Sequence, residues 1–274
     1  MPAQIAIGIA LAAIVALAAR HLRALTTDGA IAAFIIGSVT FGAGGWPGAC
    51  VLFAFFIPSI VLSRMGRKRK AALVDIGKHG ARDAWQVFAN GGIATVCIAI
   101  AASLIVRAAG PTTVRMITVY LAAFAGAFAA ASADTWGTEV GTLMRGKPRS
   151  ILSLRPIESG LSGGITAGGT IAEIAGAAFV ALIAMLTGIA AFLPVAAGGF
   201  AGAIVDSLLG GSLQALRWCP ACARPCETNP HHCGTTTTLR RGIAWFSNDA
   251  VNVAATLTGA AVAGILAAFT PTVR

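Results

Sequence analysis

Eight long apolar runs, separated by short polar segments, constrain the fold of this chain more than any other feature. A transmembrane α-helix needs about 20 mainly apolar residues, and only helices or closed barrels satisfy their backbone groups within lipid. The runs therefore predict an all-α, polytopic membrane helix bundle of about eight spans. They lie near residues 4–19, 28–45, 47–63, 88–106, 115–133, 163–187, 189–209 and 248–269.

Composition supports a membrane location and argues against a soluble domain. Hydrophobic residues make up 57% of the 274 residues, charged residues make up only 11%, and the mean hydropathy is +0.81. The polar segments are too short to build a second hydrophobic core. We therefore expect one integral-membrane domain over residues 1–274.

The distribution of positive charge predicts the orientation in the membrane. The net charge of +10 is divided among short clusters between apolar runs, which favours anionic lipid head groups over nucleic acid as the partner. Around eight spans, 17 Lys and Arg residues fall on one face and 3 on the other. The positive-inside rule then predicts a multi-pass protein of the inner (cytoplasmic) membrane, with both termini outside and an active face in the cytoplasm.

Carboxylates gather at the predicted cytoplasmic face. Asp134 and Glu139 follow the fifth apolar run, and Asp206 lies near the same end of the seventh. Oxygen ligands of this kind suit a magnesium ion that takes its other ligands from water and a substrate phosphate. We predict that Asp134, Glu139 and Asp206 are catalytic residues that share one Mg²⁺.

Basic and glycine-rich segments follow the first two of these carboxylates. Arg145, Lys147 and Arg149 are expected to neutralise phosphate oxygens, and backbone N–H groups at a glycine-rich helix entrance favour an anion. Alternatively, the charges form a solvated loop and the glycines only allow close helix packing. The predicted phosphate-binding residues of the glycine-rich segment are Ser162, Gly163, Gly164 and Thr166.

The fourth span opens with a polar stripe. Arg82, Gln86 and Asn90 fall at i, i+4 and i+8, so they share one helix face. Amides facing lipid would be costly, so we expect this face to point into the protein. The residues of this stripe either form hydrogen bonds to neighbouring helices or bind a ligand. We include Asn90 among the predicted substrate-binding residues.

Two further spans carry polar residues. Glu173, in the sixth, is an intramembrane carboxylate that is either functional or paired with a loop cation. The eighth opens with SNDAVN, where we expect one of Asn248, Asp249 and Asn252 to be the helix N-cap. Because three such residues exceed what a cap requires, Asp249 and Asn252 are predicted to face a ligand.

A cysteine- and histidine-rich loop, residues 217–242, separates the last two spans. Its CxxC pair and the Cys and His residues that follow match a compact zinc knuckle. Four protein ligands leave no open coordination position, so a structural zinc is expected rather than a catalytic one. The predicted ligands are Cys219, Cys222, His231 and Cys233, with Cys226 or His232 as substitutes.

Seven motifs, taken in order, resemble an integral-membrane family long filed as a domain of unknown function, which includes eukaryotic transmembrane protein 19 and the phytyl-phosphate kinase of plants and cyanobacteria. They are TDGAIAAFIIGSVTFGAGGW, QVFANGG, ADTWGTEVG, SGLSGGITAGGT, GAIVDSLLG, the CxxC with HxCG, and NDAVN. More distantly, the segment from Asp134 to the glycines resembles the nucleotide site of CTP-dependent dolichol and phytol kinases and of CDP-diacylglycerol synthases. The loop lysine expected there is missing, and the nearest cations are Lys147 and Arg155.

The residues and the resemblance together imply a membrane isoprenoid (phytyl or polyprenyl) monophosphate kinase. It would transfer a phosphoryl group from a nucleoside triphosphate, expected to be CTP, with Mg²⁺ as cofactor and zinc in a structural role. Its partners would be the isoprenoid phosphate, the nucleotide and membrane lipids; a homo-oligomer is left open. The alternative is a transporter or flippase of a lipid phosphate or other anion, for which broken helices and buried carboxylates would serve equally well.

Overall fold

Seven helices, each long and apolar enough to cross a membrane, account for most of the residues that the structure describes. The structure is a computed structural model that describes residues 2–65, 80–107, 110–144 and 146–270. This confirms the all-α membrane bundle. The helices are α1 Pro2–His21, α2 Thr27–Arg64, α3 Ala84–Val106, α4 Pro111–Leu143, α5 Ala167–Leu186, α6 Phe192–Ser212 and α7 Asn248–Phe269.

Helix α2 doubles back on itself at Gly45, whose φ of 57° and ψ of −150° are not helical. If straight, its 38 residues would extend ~57 Å. Both ends instead lie beside the connection between α1 and α2. At the first end the Thr26 hydroxyl donates a hydrogen bond to the Arg82 carbonyl, and at the last end Arg64 Nη2 donates to the Leu22 carbonyl. The second and third predicted spans are therefore two limbs of one element, residues 27–44 and 46–64, and the seven helices provide eight limbs.

Helix α4 is the centre of the bundle. Every residue from Ala122 to Ala133 is buried, and ten of these twelve are Ala or Gly or Ser. Small side chains let neighbouring backbones approach closely without a hydrophobic driving force from water. Phe124 and Phe128 fill the space that the small residues leave, with their ring centroids 5.4 Å apart.

Polar groups collect at one end of the bundle, which we call the polar end and define by Arg82, Leu143, Ala167 and Ser212. There Arg82 N donates to the Ala24 carbonyl and the Thr26 N–H donates to the Arg82 carbonyl, which fastens α3 to the α1–α2 connection. Large apolar side chains such as Ile14, Leu17 and Leu186 remain exposed around the bundle, as expected of a surface that faces lipid.

Among the described residues, five short strands lie beyond the polar end. Strand β1 (Arg149–Ser150) pairs antiparallel with β2 (Gly164–Ile165). The cysteine-rich loop forms a three-stranded antiparallel sheet in the order β4-β3-β5. Its strands are β3 Leu216–Cys219, β4 Arg224–Cys226 and β5 Thr238–Arg241.

Two expectations from the sequence need correction. The fifth apolar run ends at residue 133, but α4 continues to Leu143, so Asp134 and Glu139 lie inside a helix and not at its close. The N-cap of α7 is Ser247, and none of Asn248, Asp249 and Asn252 is the cap. Asn248 and Asp249 instead occupy the first helical turn.

Candidate functional site

Three carboxylates from three helices lie at a similar depth below the polar end. Asp134 is nine residues from the end of α4, while Glu173 and Asp206 are each six residues from the nearer ends of α5 and α6. At ~1.5 Å per residue, all three lie ~9–14 Å along their helices from these ends. Asp206 interacts electrostatically with Asp134 and Glu173, and Glu173 interacts with Asp134. We call Asp134, Glu173 and Asp206 the carboxylate cluster.

Glycines allow these helices to approach one another. A Cβ atom added at Gly137 would lie 2.5 Å from Cγ of Glu173, so only glycine leaves room for this carboxylate beside α4. One turn further along α4, Gly141 lies against Gly169 at the start of α5. The close packing that glycines permit thus brings Glu173 next to the turn of α4 that follows Asp134.

The cluster has the features of a cation site. The Asp206 Oδ2 atom is buried and has no hydrogen-bond partner among the residues described. Removing a carboxylate from water costs several kcal/mol unless the charge is compensated. A divalent cation between Asp206 and its neighbours would supply that compensation, so the donor set fits magnesium.

The carboxylates of the cluster are not close enough to one another to form a complete metal-binding site by themselves. In the parts of the chain that the structure describes, the one set of three or more Cys, His, Asp or Glu ligands within 4.8 Å of one another lies in the cysteine-rich loop. Mg²⁺ is usually held by one or two carboxylates, with water and substrate phosphates completing the shell. The shared Mg²⁺ of Asp134, Glu139 and Asp206 therefore stays a prediction.

Arg82 is a cation near Asp134. Its guanidinium interacts electrostatically with Glu139 and Asp134, and Nη2 donates to Ser63 Oγ at 3.4 Å. Burial lowers the pKa of this guanidinium, and the two carboxylates oppose that shift. Asp134 thus interacts with one desolvated cation and with two further carboxylates, Glu173 and Asp206.

The glycine-rich segment folds over the ends of α5 and α6. Thr166 is the N-cap of α5, and its hydroxyl accepts a hydrogen bond from the Gly169 N–H. Gly163 has a φ of 81°, and a Cβ atom there would lie 2.3 Å from Cα of Gly211. Ser162 and Gly163 therefore rest on the last turn of α6, one turn beyond Asp206.

Glu227 joins this segment to the cysteine-rich loop. One of its carboxylate oxygens accepts from the Ser162 N–H at 3.0 Å, and the other accepts from Gln214 Nε2 at 2.7 Å. Burial raises the pKa of Glu227, and the hydrogen bonds from Ser162 and Gln214 and the charge of Arg241 oppose the shift. A salt bridge of 3.7 Å between Arg224 and Glu158 adds a second connection.

The four predicted zinc ligands, Cys219, Cys222, His231 and Cys233, come together within the loop. Their donor atoms all lie within 4.8 Å of one another, with 3.3 Å between His231 Nδ1 and Cys233 Sγ. The substitute ligands do not belong to this set: Cys226 Sγ points to the Thr228 carbonyl at 3.8 Å. Three thiols and one imidazole suit a tetrahedral zinc site.

The remaining predicted residues have varied positions. Lys147 and Arg149 are exposed beside the glycine-rich segment, and Arg149 Nη1 donates to the Leu154 carbonyl at 2.8 Å. Gly164 is exposed in β2. Asp249 and Asn252 lie in the first turns of α7, where Asn252 is buried. Arg145 lies outside the described residues.

The polar stripe of α3 points inward, as its spacing predicts. Asn90 Nδ2 donates to the Gln86 carbonyl at 2.8 Å, and Gln86 completes a capping box with Asp83 at the start of α3. Arg82, Gln86 and Asn90 all line one internal groove. The sequence alone indicates this capping box, since Gln86 follows the N-cap residue Asp83 by three residues.

Sequence reasoning left three residues out of the predicted site. Arg82 and Glu173 could have been included from the sequence, because charged residues at a membrane span are expected to be functional or paired. Glu227 carried none, because its partner Ser162 is 65 residues away along the chain. Only the folded arrangement shows that this carboxylate reaches the glycine-rich segment.

Comparison with known proteins places this architecture among membrane proteins. The profile of a family described as integral membrane protein DUF92 matches residues 10–260. The chain is 29% identical to Protein PGR of Arabidopsis thaliana over 72% of this chain and 74% of that protein. It is 31% identical to an uncharacterized membrane protein of Methanocaldococcus jannaschii, over 76% of this chain and 82% of that protein. For an uncharacterized membrane protein of Synechocystis, the identity is 26% over 92% and 86%. No solved structure matches the chain.

Proposed function

Since the chain belongs to the DUF92 family of integral membrane proteins, we propose that it is a magnesium-dependent membrane kinase of isoprenyl monophosphates. It would transfer a phosphoryl group from a nucleoside triphosphate, CTP by preference, to a phytyl or polyprenyl phosphate. One observation carries the proposal: Asp134 interacts electrostatically with the partly buried Arg82 and with the carboxylates Glu173 and Asp206, beside a glycine-rich helix entrance.

The chemistry asks mainly for positioning and charge neutralisation. An oxygen of the acceptor monophosphate attacks the γ-phosphorus, the bond to the β-phosphate oxygen breaks, and the nucleoside diphosphate leaves with that electron pair. A phosphate monoester is already an adequate nucleophile at neutral pH, so no general base is required. This agrees with a cluster made of carboxylates and Arg82, without a histidine among its members.

Each part of the site then has a role. Asp134 and Asp206, with Glu139 or Glu173, would hold Mg²⁺, and the bound ion would supply positive charge that neutralises the substrate phosphates. The segment with Ser162, Gly163 and Thr166 would present the Ser162 hydroxyl and backbone N–H groups beyond Ser162 to the nucleotide phosphates, since the Ser162 N–H donates to Glu227. Lys147, Arg149 and Arg145 would add positive charge. A structural zinc on Cys219, Cys222, His231 and Cys233 would order the loop that carries Glu227.

A substrate panel tests the proposal. The purified protein in lipid nanodiscs would be incubated with Mg²⁺, each of the four common nucleoside triphosphates, and geranylgeranyl, phytyl or polyprenyl monophosphate, and products would be identified by mass spectrometry. We expect isoprenyl diphosphate and nucleoside diphosphate in equal amounts. Movement of lipid phosphate across proteoliposomes without any diphosphate product would overturn the kinase and support the transporter or flippase.

A further inference from the structure

A deep apolar groove runs along the part of the bundle formed by α1, both limbs of α2, and α3. It is partly open to the outside, and its enclosed part has a volume of about 90 Å³. Its walls are almost entirely apolar, with aromatic side chains such as Phe41, Phe53 and Phe56. Such a groove suits an apolar occupant better than water, because water would find few hydrogen-bond partners there.

The groove is long and has one polar end. On the second limb of α2 its lining extends from Trp46 to Phe56, and on α1 from Gly8 to Ala16, which corresponds to ~12–15 Å of helix. At the Trp46 end the lining comes from the α2 turn. At the opposite end it includes Arg82, Gln86 and Asn90, the polar stripe of α3.

Charge at the polar end selects the occupant's head group. Arg82 has five N–H donors, and within the described part of the chain its side chain makes one hydrogen bond, to Ser63. Its carboxylate neighbours Asp134 and Glu139 interact with it electrostatically. A planar, desolvated guanidinium whose further N–H groups can donate to a ligand suits the oxygens of a phosphate.

We propose that this groove binds the hydrocarbon chain of the acceptor, a single-chain isoprenyl phosphate, with its phosphate on Arg82 and its chain tip near Trp46. The inference rests on the proposed function and specifies where its lipid substrate lies. The acceptor phosphate would then reach Asp134 from the α3 side. The nucleotide phosphates, held by the glycine-rich segment, would reach the same carboxylate cluster from the side of α5 and α6.

Photo-crosslinking tests the direction of binding. One probe is geranylgeranyl monophosphate with a diazirine on the terminal isoprene unit, and a second carries the diazirine on the unit next to the phosphate. In nanodiscs, the first should label the peptide that contains Phe41 and Trp46, and the second the peptide that contains Gln86 and Asn90. Unlabelled prenyl phosphate should compete at least 10-fold better than the prenol, and inorganic phosphate should not compete. Labelling confined to exposed outer positions such as Ile14, or equal competition by inorganic phosphate, would overturn the proposal.

A pair of neighbouring substitutions on α1 supplies the functional test. Val15 lines the groove, whereas Ile14 is 63% exposed on the outer surface. Val15→Trp should raise the KM or Kd for the prenyl phosphate by at least 10-fold and leave the nucleotide KM unchanged, while Ile14→Trp should change neither. Arg82→Gln should weaken prenyl phosphate binding, and Arg82→Lys should restore part of it.

The results separate the two proposals. Directional crosslinking that Val15→Trp abolishes, together with no turnover of any nucleotide, would sustain the groove and reject the kinase. Turnover by Val15→Trp with an unchanged lipid KM, and crosslinks elsewhere, would sustain the kinase and reject the groove. If Val15→Trp does not fold, the crosslinking pattern of the parent protein still decides the question.

Discussion

Glu227 shows how one side chain can connect two distant segments. Its two carboxylate oxygens accept hydrogen bonds from the Ser162 backbone and the Gln214 amide, so it fixes the glycine-rich segment against the loop after α6. Charge-assisted hydrogen bonds to a carboxylate are about twice as strong as neutral ones. Because Ser162 belongs to the predicted phosphate-binding segment, Glu227 is a positioning residue for the proposed nucleotide site.

The raised pKa of Glu227 predicts a pH-dependent stability. Burial makes the folded protein hold this proton more tightly than the unfolded chain does, so the stabilisation is present below the unfolded pKa of about 4.5 and is lost as the pH rises through the folded pKa. In Glu227→Gln this titration is absent, and Gln214 Oε1, which has no partner among the described residues, can accept from the introduced amide after a flip. The Tm of the parent should therefore fall relative to that of Glu227→Gln as the pH rises above about 4.5. A difference in Tm that stays constant across that range would contradict this assignment.

The cysteine-rich loop is an element with little apolar core of its own. Its three-stranded sheet has a fully exposed strand, Thr238–Arg241, and its largest buried groups include Cys219 and His231. Small units of this kind usually need a metal to stay folded. Among the described residues, all cysteines are free, so no disulfide replaces that metal.

Removal of one zinc ligand should therefore destabilise the loop. Cys222→Ser should lower the zinc content from about one ion per chain and reduce the Tm by ~5–10 °C, because a loss of ~2–3 kcal/mol corresponds to ~2–4 °C per kcal/mol for a chain of this size. Cys226→Ser is the matched control, since the Cys226 thiol faces the Thr228 carbonyl and not the other donors. Elemental analysis and thermal melting provide the readouts. Equal zinc in Cys222→Ser and the parent would reject this ligand set.

The sequence predicted the elements better than their ends. The apolar runs predicted the spans, because a segment in lipid must form all its backbone hydrogen bonds internally, as a helix does. The i, i+4, i+8 spacing predicted that Arg82, Gln86 and Asn90 share the face that points into the protein. The extension of α4 to Leu143 could not be predicted from the sequence. The charged residues Asp134 and Glu139 indicated that the membrane-spanning helix ends before them, but both lie within the helix. Inside the fold, Gly137 and Gly141 pack this polar turn against α5, and that packing is a property of two helices together.

At the scale of the whole molecule, the positions of the basic residues agree with the fold. The helix ends that carry Arg20, Arg64 and Arg82 lie together, because Arg64 donates to the Leu22 carbonyl and Arg82 donates to Ser63. Turns at Gly45, Gly110 and Gly188, each with a positive φ, connect the limbs at the opposite end. The proposed orientation places the polar end in the cytoplasm, where nucleotides are available.

Cysteine labelling in intact cells tests this orientation. In a protein whose exposed Cys50 is replaced by Ser, a cysteine introduced at Thr112, beside the Gly110 turn, should react with a membrane-impermeant maleimide. A cysteine introduced at Ser153, on the exposed loop between β1 and β2, should react only after the cells are lysed. Labelling of the Ser153 position in intact cells would reverse the orientation.

The central claim is that Asp134 organises a magnesium-dependent phosphoryl transfer between two phosphates. Asp134→Asn keeps the shape of the side chain and removes its charge, while Glu158→Gln removes a carboxylate that is exposed and bound to Arg224, outside the cluster. The most direct measurement is the rate of isoprenyl diphosphate formation with Mg²⁺ and nucleoside triphosphate by the parent and both variants, each shown to be folded by thermal melting. We expect Asp134→Asn to lose roughly 100-fold or more of the rate, as when a preorganised electrostatic group is removed, and Glu158→Gln to keep it. A folded Asp134→Asn that forms the diphosphate as fast as the parent would contradict the account.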